Sequence, residues 1–177
     1  MPNGVSNQNI QQTYTLNQFT ELAAKSNDNQ ELRIRKSNHE LSNTPLGFIS
    51  RNVGSTHAQS NTAVTNAFKA AIQSDPRYAG IAEKLAATLQ TSLPDNEPLT
   101  PAKVKQAVNT ANQMLKANLQ ANSAARMLSA TDVIPKALEA EFRSFTEAYL
   151  NAHPEVDLPA ILAKDEGNLT EKQQNLS

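Results

Sequence analysis

"NTAVTNAFKAAIQSDPRYAGIAEKLAATLQTSL", residues 61–93, decides the fold class. Val64, Phe68 and Ile72 recur at four-residue intervals with Ala67 and Ala71 beside them, which places them on one face of an α-helix. Asp75-Pro76 then marks a fresh helix start. An aspartate carboxylate accepts from the free N–H groups of a first turn, and a proline at the first helical position has no N–H to waste. Ile81, Leu85 and Leu89 form the apolar stripe of this second helix.

Working outward from that stretch, the same texture persists. "PDNEPL" (94–99) is a stop, and "TPAKVKQAVNTANQMLKANLQAN" (100–122) restarts with Thr100 as cap and Pro101 at the first position. Val104, Val108, Ala111, Leu115 and Leu119 follow at three- or four-residue spacing, and "SAARMLSAT" (123–131) either continues this helix or makes a short bridge. In "TDVIPKALEAEFRSFTEAYLNAH" (131–153), Leu138, Phe142, Phe145 and Tyr149 are expected to face inward and to supply most of the bulk of the core. "PEVDLPAILAK" (154–164) is expected to be a last short helix capped by Asp157.

Composition agrees with a helical chain. Of 177 residues, 38% are hydrophobic and 5% aromatic, with no Trp, so the core must come from Ala, Leu, Ile, Val and a few Phe. Small apolar faces let helices approach closely, whereas a large sheet would need more β-branched and aromatic residues. Sixteen basic residues against seventeen acidic ones give a net charge of −1, which argues against a general nucleic-acid binder. The absence of cysteine excludes disulfides and cysteine-based zinc sites. No apolar run approaches the roughly 18 residues of a membrane span.

The first sixty residues differ. Twelve of residues 1–20 are Asn, Gln, Ser or Thr, and the first charged side chain is Glu21. Such a stretch buries too little apolar surface to offset its ordering entropy. "TLNQFTELAAK" (15–25) fits a short helix with Thr15 as N-cap and Leu16, Phe19, Leu22 and Ala23 on one face. "ELRIRK" (31–36) alternates apolar and charged residues, the mark of a strand with one buried face, and "PLGFI" (45–49) adds an apolar patch. The expected organisation is therefore mainly α. A flexible or extended arm over 1–60, with one short β-strand, precedes a four- or five-helix bundle-like domain over 61–165 and a flexible tail over 166–177.

Chemistry-bearing constellations are sparse. His39, His57 and His153 are far apart and lack the i+4 partners of a metal site. Glu139 and Glu141, two apart on a helix, point to different sides, and Glu147 pairs naturally with Arg143 four residues before it. No nucleophile elbow, phosphate loop or kinase motif occurs, so no catalytic residue, metal ligand or cofactor is expected. Arg33, Arg35 and Lys36 are the densest basic cluster and suit the outward face of a strand added to a partner's sheet, with Leu32 and Ile34 inward. Lys103, Lys105 and Lys116 would serve a bundle that docks on anionic lipid, the less favoured alternative.

In its order of features the chain resembles the N-terminal region of type III secretion effectors. The likeness is carried by the charge-free polar start (1–20), by "YTLNQFTELAAKSNDNQELRIRKSNHELSNTPLGFISRNVG" (14–54) and by the helices that follow. Within that family the pattern is similar to the N-terminus of the effector joining a Rho GTPase-activating domain to a tyrosine phosphatase, whose "KPLT"-like helix start compares with "EPLTPAKVKQAV" (97–108). The resemblance implies an export signal, secretion into a host cell, and a dimeric chaperone that takes "ELRIRK" as an added strand. Leu32 and Ile34 would be its anchors and Leu46, Phe48 and Ile49 would enter a second apolar groove. The arginine-finger motif, catalytic cysteine and Trp-containing exchange motif of such effectors do not occur here, so no enzymology transfers. The leading expectation is an effector, or part of one, that binds a host protein through its helices. A secretion-machine regulator, a membrane-localising helical bundle and an enzyme with an unfamiliar site are the alternatives.

Overall fold

Thr15 opens the first helix, α1 (Leu16–Ala24), with a reciprocal cap: its hydroxyl accepts from the Gln18 N–H, and the Gln18 side chain accepts from the Thr15 N–H. The computed structural model describes residues 13–44 and 58–158, and among these the chain is mainly helical with one small two-stranded sheet. It divides into two compact units, Met1–Ala111 and Asn112–Ser177.

In the first unit, α1 buries Leu16, Phe19 and Ala23. The strand expected from "ELRIRK" forms as β1 (Arg33–Ile34), paired antiparallel with β2 (Leu41–Ser42) in the register Arg33 to Ser42 and Ile34 to Leu41. The turn between them holds His39 at φ 57, in the left-handed region, and the Asn38 side chain accepts from the Glu40 N–H at 3.0 Å. Helix α2 (Asn61–Gln73) is capped by Ser60 and buries Val64, Thr65, Phe68, Ala71 and Ile72, so the 61–73 stripe lies inward as expected. Asp75 caps the next turn as expected, but Pro76–Ile81 is a 3₁₀-helix, and the α-helix proper, α3, is Ala82–Ser92 with Leu85 and Leu89 buried. Helix α4 (Pro101–Ala130) begins with Thr100 accepting from the Lys103 N–H at 3.3 Å and buries Val104, Ala107 and Ala111.

The boundary expected near residue 60 does not exist for the described part of the arm. Phe19 meets Phe68 edge to face with ring centroids 5.2 Å apart, and Tyr14 meets Phe19 at 5.9 Å. The Leu32 N–H donates to the Leu99 carbonyl at 2.8 Å, and the Gln59 N–H donates to the Ile34 carbonyl at 2.8 Å. A two-residue strand is not stable alone. Here it takes its partners from the chain itself and shares one core with residues 58–111. Residues 1–12, 45–57 and 159–177, and with them the expected tail and most of the last short helix, lie outside the described residues.

In the second unit, α4 presents Ala117, Ala121, Ala124 and Ala125 as its buried row. It ends in a Schellman motif: the Val133 N–H donates to the Leu128 carbonyl at 2.8 Å and the Asp132 N–H to Ser129 at 3.2 Å, with Asp132 at φ 59 in the place glycine usually takes. Helix α5 (Glu139–Ala152) buries Thr146, Glu147 and Leu150. The expected inward row of Leu138, Phe142, Phe145 and Tyr149 is thus overturned. The helix is rotated so that Phe142 is half-buried while Phe145 and Tyr149 face solvent.

Polar chemistry on α4 accounts for that rotation. The Asn118 side chain donates to the Glu147 carboxylate at 2.9 Å, and Gln113 donates to the Leu150 carbonyl at 3.3 Å. Arg143 lies 3.5 Å from Glu147. The Glu147 carboxylate, only 2% exposed, is tolerated because it accepts from Asn118 and Arg143.

Candidate functional site

The residues singled out from sequence have separate fates. Leu32 and Ile34 are buried in the core of the first unit. Leu46, Phe48 and Ile49 lie outside the described residues, as does His57. Arg33 is largely covered and pairs with Glu31, while Arg35 reaches Thr44 and Lys36 is exposed. Burial depresses the basicity of Arg33, and its Nε is buried without a hydrogen-bond partner. Lys103 is held by Glu97 at 3.1 Å and by the Pro98 carbonyl at 2.8 Å, and Lys105 by Asp28 at 2.9 Å. Both ammonium groups are thus paired within the first unit. Among the described residues no group of His, Asp and Glu comes together as a metal site, and no helix is long and apolar enough to cross a membrane.

Two surface features remain. The first is an open recess of about 540 Å³ between α1 and the β1–β2 turn, walled by Tyr14, Gln18, Glu21, Lys25, His39 and Glu40. The Tyr14 hydroxyl donates to the His39 carbonyl at 2.5 Å, and burial raises the pKa of that phenol. The His39 ring nitrogen Nδ1 lies 3.3 Å from the Gln59 amide nitrogen. Both signs of charge meet in this recess in full contact with water, which screens them. The arrangement pairs no nucleophile with a base.

The second feature is α5. Phe145 is 73% exposed, and Tyr149 and Leu138 are each 46% exposed. At helical spacing these residues and half-buried Phe142 form one continuous stripe. The Tyr149 ring stacks on His153 with centroids 4.1 Å apart, and the imidazole Nδ1 is 2.9 Å from the Tyr149 carbonyl, so the ring is held against its neighbour. A row of large apolar side chains left on the surface marks an interaction site far more often than a scattered exposed Leu does. Sequence periodicity found the row and assigned it to the wrong side. The available signal was the competing row Arg143, Glu147 and Leu150, in which Glu147 pairs with Arg143 on the same helix and accepts from Asn118 on α4.

No protein-family model, no curated protein and no solved structure matches this chain.

Proposed function

We propose that the chain is a type III secreted effector, or the N-terminal part of one, that is loaded by a secretion chaperone and binds a host protein through α5. The observation that carries the binding half is the outward stripe of Phe145 and Tyr149. The secretion half rests on the resemblance of residues 1–54. The function is binding, and no catalytic residue is assigned.

The fold adds a condition to chaperone loading. A chaperone that takes Leu32 and Ile34 as an added strand needs backbone groups that the chain already uses: the Leu32 N–H is on Leu99, and the Ile34 carbonyl is taken by Gln59. Loading and closure of the first unit are therefore alternatives. The chaperone meets the arm before the unit closes, or opens it, and Leu46, Phe48 and Ile49 then supply the second apolar contact. Ordering such a segment costs several kcal/mol, which keeps the complex reversible.

The test is export of the whole chain carrying a C-terminal reporter, expressed in a bacterium with an active injectisome and in its export-dead twin. A matched chain lacking residues 2–12 probes the signal without touching the described fold. Injectisome-dependent delivery that is lost with 2–12 is the expected result. Equal retention in both strains, with intact reporter, refutes the effector reading.

A further inference from the structure

The stripe on α5 has a period and a charged border, and together they specify an occupant; the inference deepens the binding face proposed above and rests on it. Phe142, Phe145, Tyr149 and Ala152 follow at intervals of three, four and three residues, with Leu138 four before Phe142. That alternation is the seam of a coiled coil, in which each side chain enters a hole on a facing helix. From Phe142 to Ala152 the seam runs about 15 Å at 1.5 Å per residue, enough for about three turns of a partner helix. Phe145, Tyr149 and Ala152 are exposed along it.

The border is acidic. Exposed Glu141 sits immediately before Phe142, at the flanking position that makes ion pairs across a coiled coil, and exposed Glu155 follows just past the helix end. Half-buried Glu139 lies with Glu141 in the first turn, where the helix dipole also favours them. The one cation within α5, Arg143, is turned to Glu147 and to the Ser144 hydroxyl at 3.3 Å, and Lys136 stands ahead of the helix. A second copy packed antiparallel would bring Glu141 of one chain towards Glu155 of the other, and an anionic bilayer would meet a similar repulsion. We propose that the α5 seam docks an amphipathic helix whose apolar face is flanked by Lys or Arg.

The test uses the purified full chain and two fluorescent peptides of about three heptads, with Leu at the seam positions and either Lys or Glu at the flanks. Anisotropy titrations should show the Lys-flanked peptide binding about tenfold or more tightly than its Glu twin, with a preference that fades as salt is raised. Phe145→Ala with Tyr149→Ala should weaken the Lys-flanked peptide about tenfold or more while far-UV circular dichroism stays unchanged, because neither ring is in the core. Glu141→Lys with Glu155→Lys should erase or invert the preference, a response that loss of apolar area alone does not produce. Failure of both peptides, equal binding of both, or indifference to the aromatic pair overturns the inference. So does Phe145-dependent self-association in sedimentation, which assigns the seam to a second copy, or Phe145-dependent binding to phosphatidylserine vesicles, which assigns it to lipid. None of these outcomes depends on export, so the seam and the effector reading fail separately.

Discussion

Truncating Phe68 tests whether residues 13–44 belong to the first unit. Phe68 has no exposed surface, and the ring it meets, Phe19, has none either. Phe68→Ala removes a fully buried ring and should cost about 3–5 kcal/mol. Against a domain stability of about 5–15 kcal/mol, that leaves the first unit near its folding threshold, so a gentler pair of changes is needed to measure the contact. Phe→Leu removes three side-chain carbons, and at about 0.8 kcal/mol per buried methylene each single change should cost about 2 kcal/mol. Edge-to-face rings contribute about 0.5–1.5 kcal/mol beyond their burial. The double variant Phe19→Leu with Phe68→Leu should therefore be less destabilised than the two singles combined by about that amount.

Urea denaturation followed by far-UV circular dichroism and tyrosine fluorescence supplies the assay. The chain has no tryptophan to mask Tyr14 and Tyr78, and amide exchange resolved over residues 61–73 separates the two units. A loss below about 1 kcal/mol for Phe68→Ala, or single effects that combine without coupling, would refute the packing of α1 on α2.

Three further outcomes are expected. Arg77 donates to the Asp75 carboxylate and holds its pKa below the ordinary value, so this cap stabilises the fold above the unfolded carboxylate pKa and is lost as pH falls through the folded one. Asp75→Ala should cost about 1 kcal/mol near neutral pH, and Asp75→Asn should flatten the fall in urea midpoint between about pH 5 and pH 3. Asp132→Gly should raise the stability of the second unit by about 0.5–1 kcal/mol, because it removes the Cβ penalty at φ 59; a lower melting temperature would show that the Asp132 side chain matters more than its backbone. Leu32→Asp with Ile34→Asp places two carboxylates in the core and should remove much of the helical signal of the first unit, whereas an unchanged spectrum and midpoint would place the strand outside that core.

Much of the local structure was legible in the chain. Thr15, Asp75 and Thr100 announce helix starts because a capping oxygen followed by its N–H partners is a contact within a few residues. The inward row of α2 follows from period alone, since Val64, Phe68 and Ile72 have no apolar competitor on the opposite face. The alternation of "ELRIRK" likewise specified a strand with Leu32 and Ile34 on its buried side.

Tertiary structure decided what lay between distant residues. Whether Leu32 is satisfied by a chaperone or by Leu99 depends on a contact spanning 67 positions, about which local pattern is silent. On α5 two faces competed, one aromatic and one built from Arg143, Thr146, Glu147 and Leu150. Hydrophobicity favours burying the first. The second is the one that meets hydrogen-bond donors on α4: Gln113 donates to the Leu150 carbonyl and Asn118 to Glu147, and a buried carboxylate left without its donor would be too costly to keep. Period reveals that a helix has a face to hide; the partners across the interface select which face it is, and here that choice leaves Phe145 and Tyr149 on the surface.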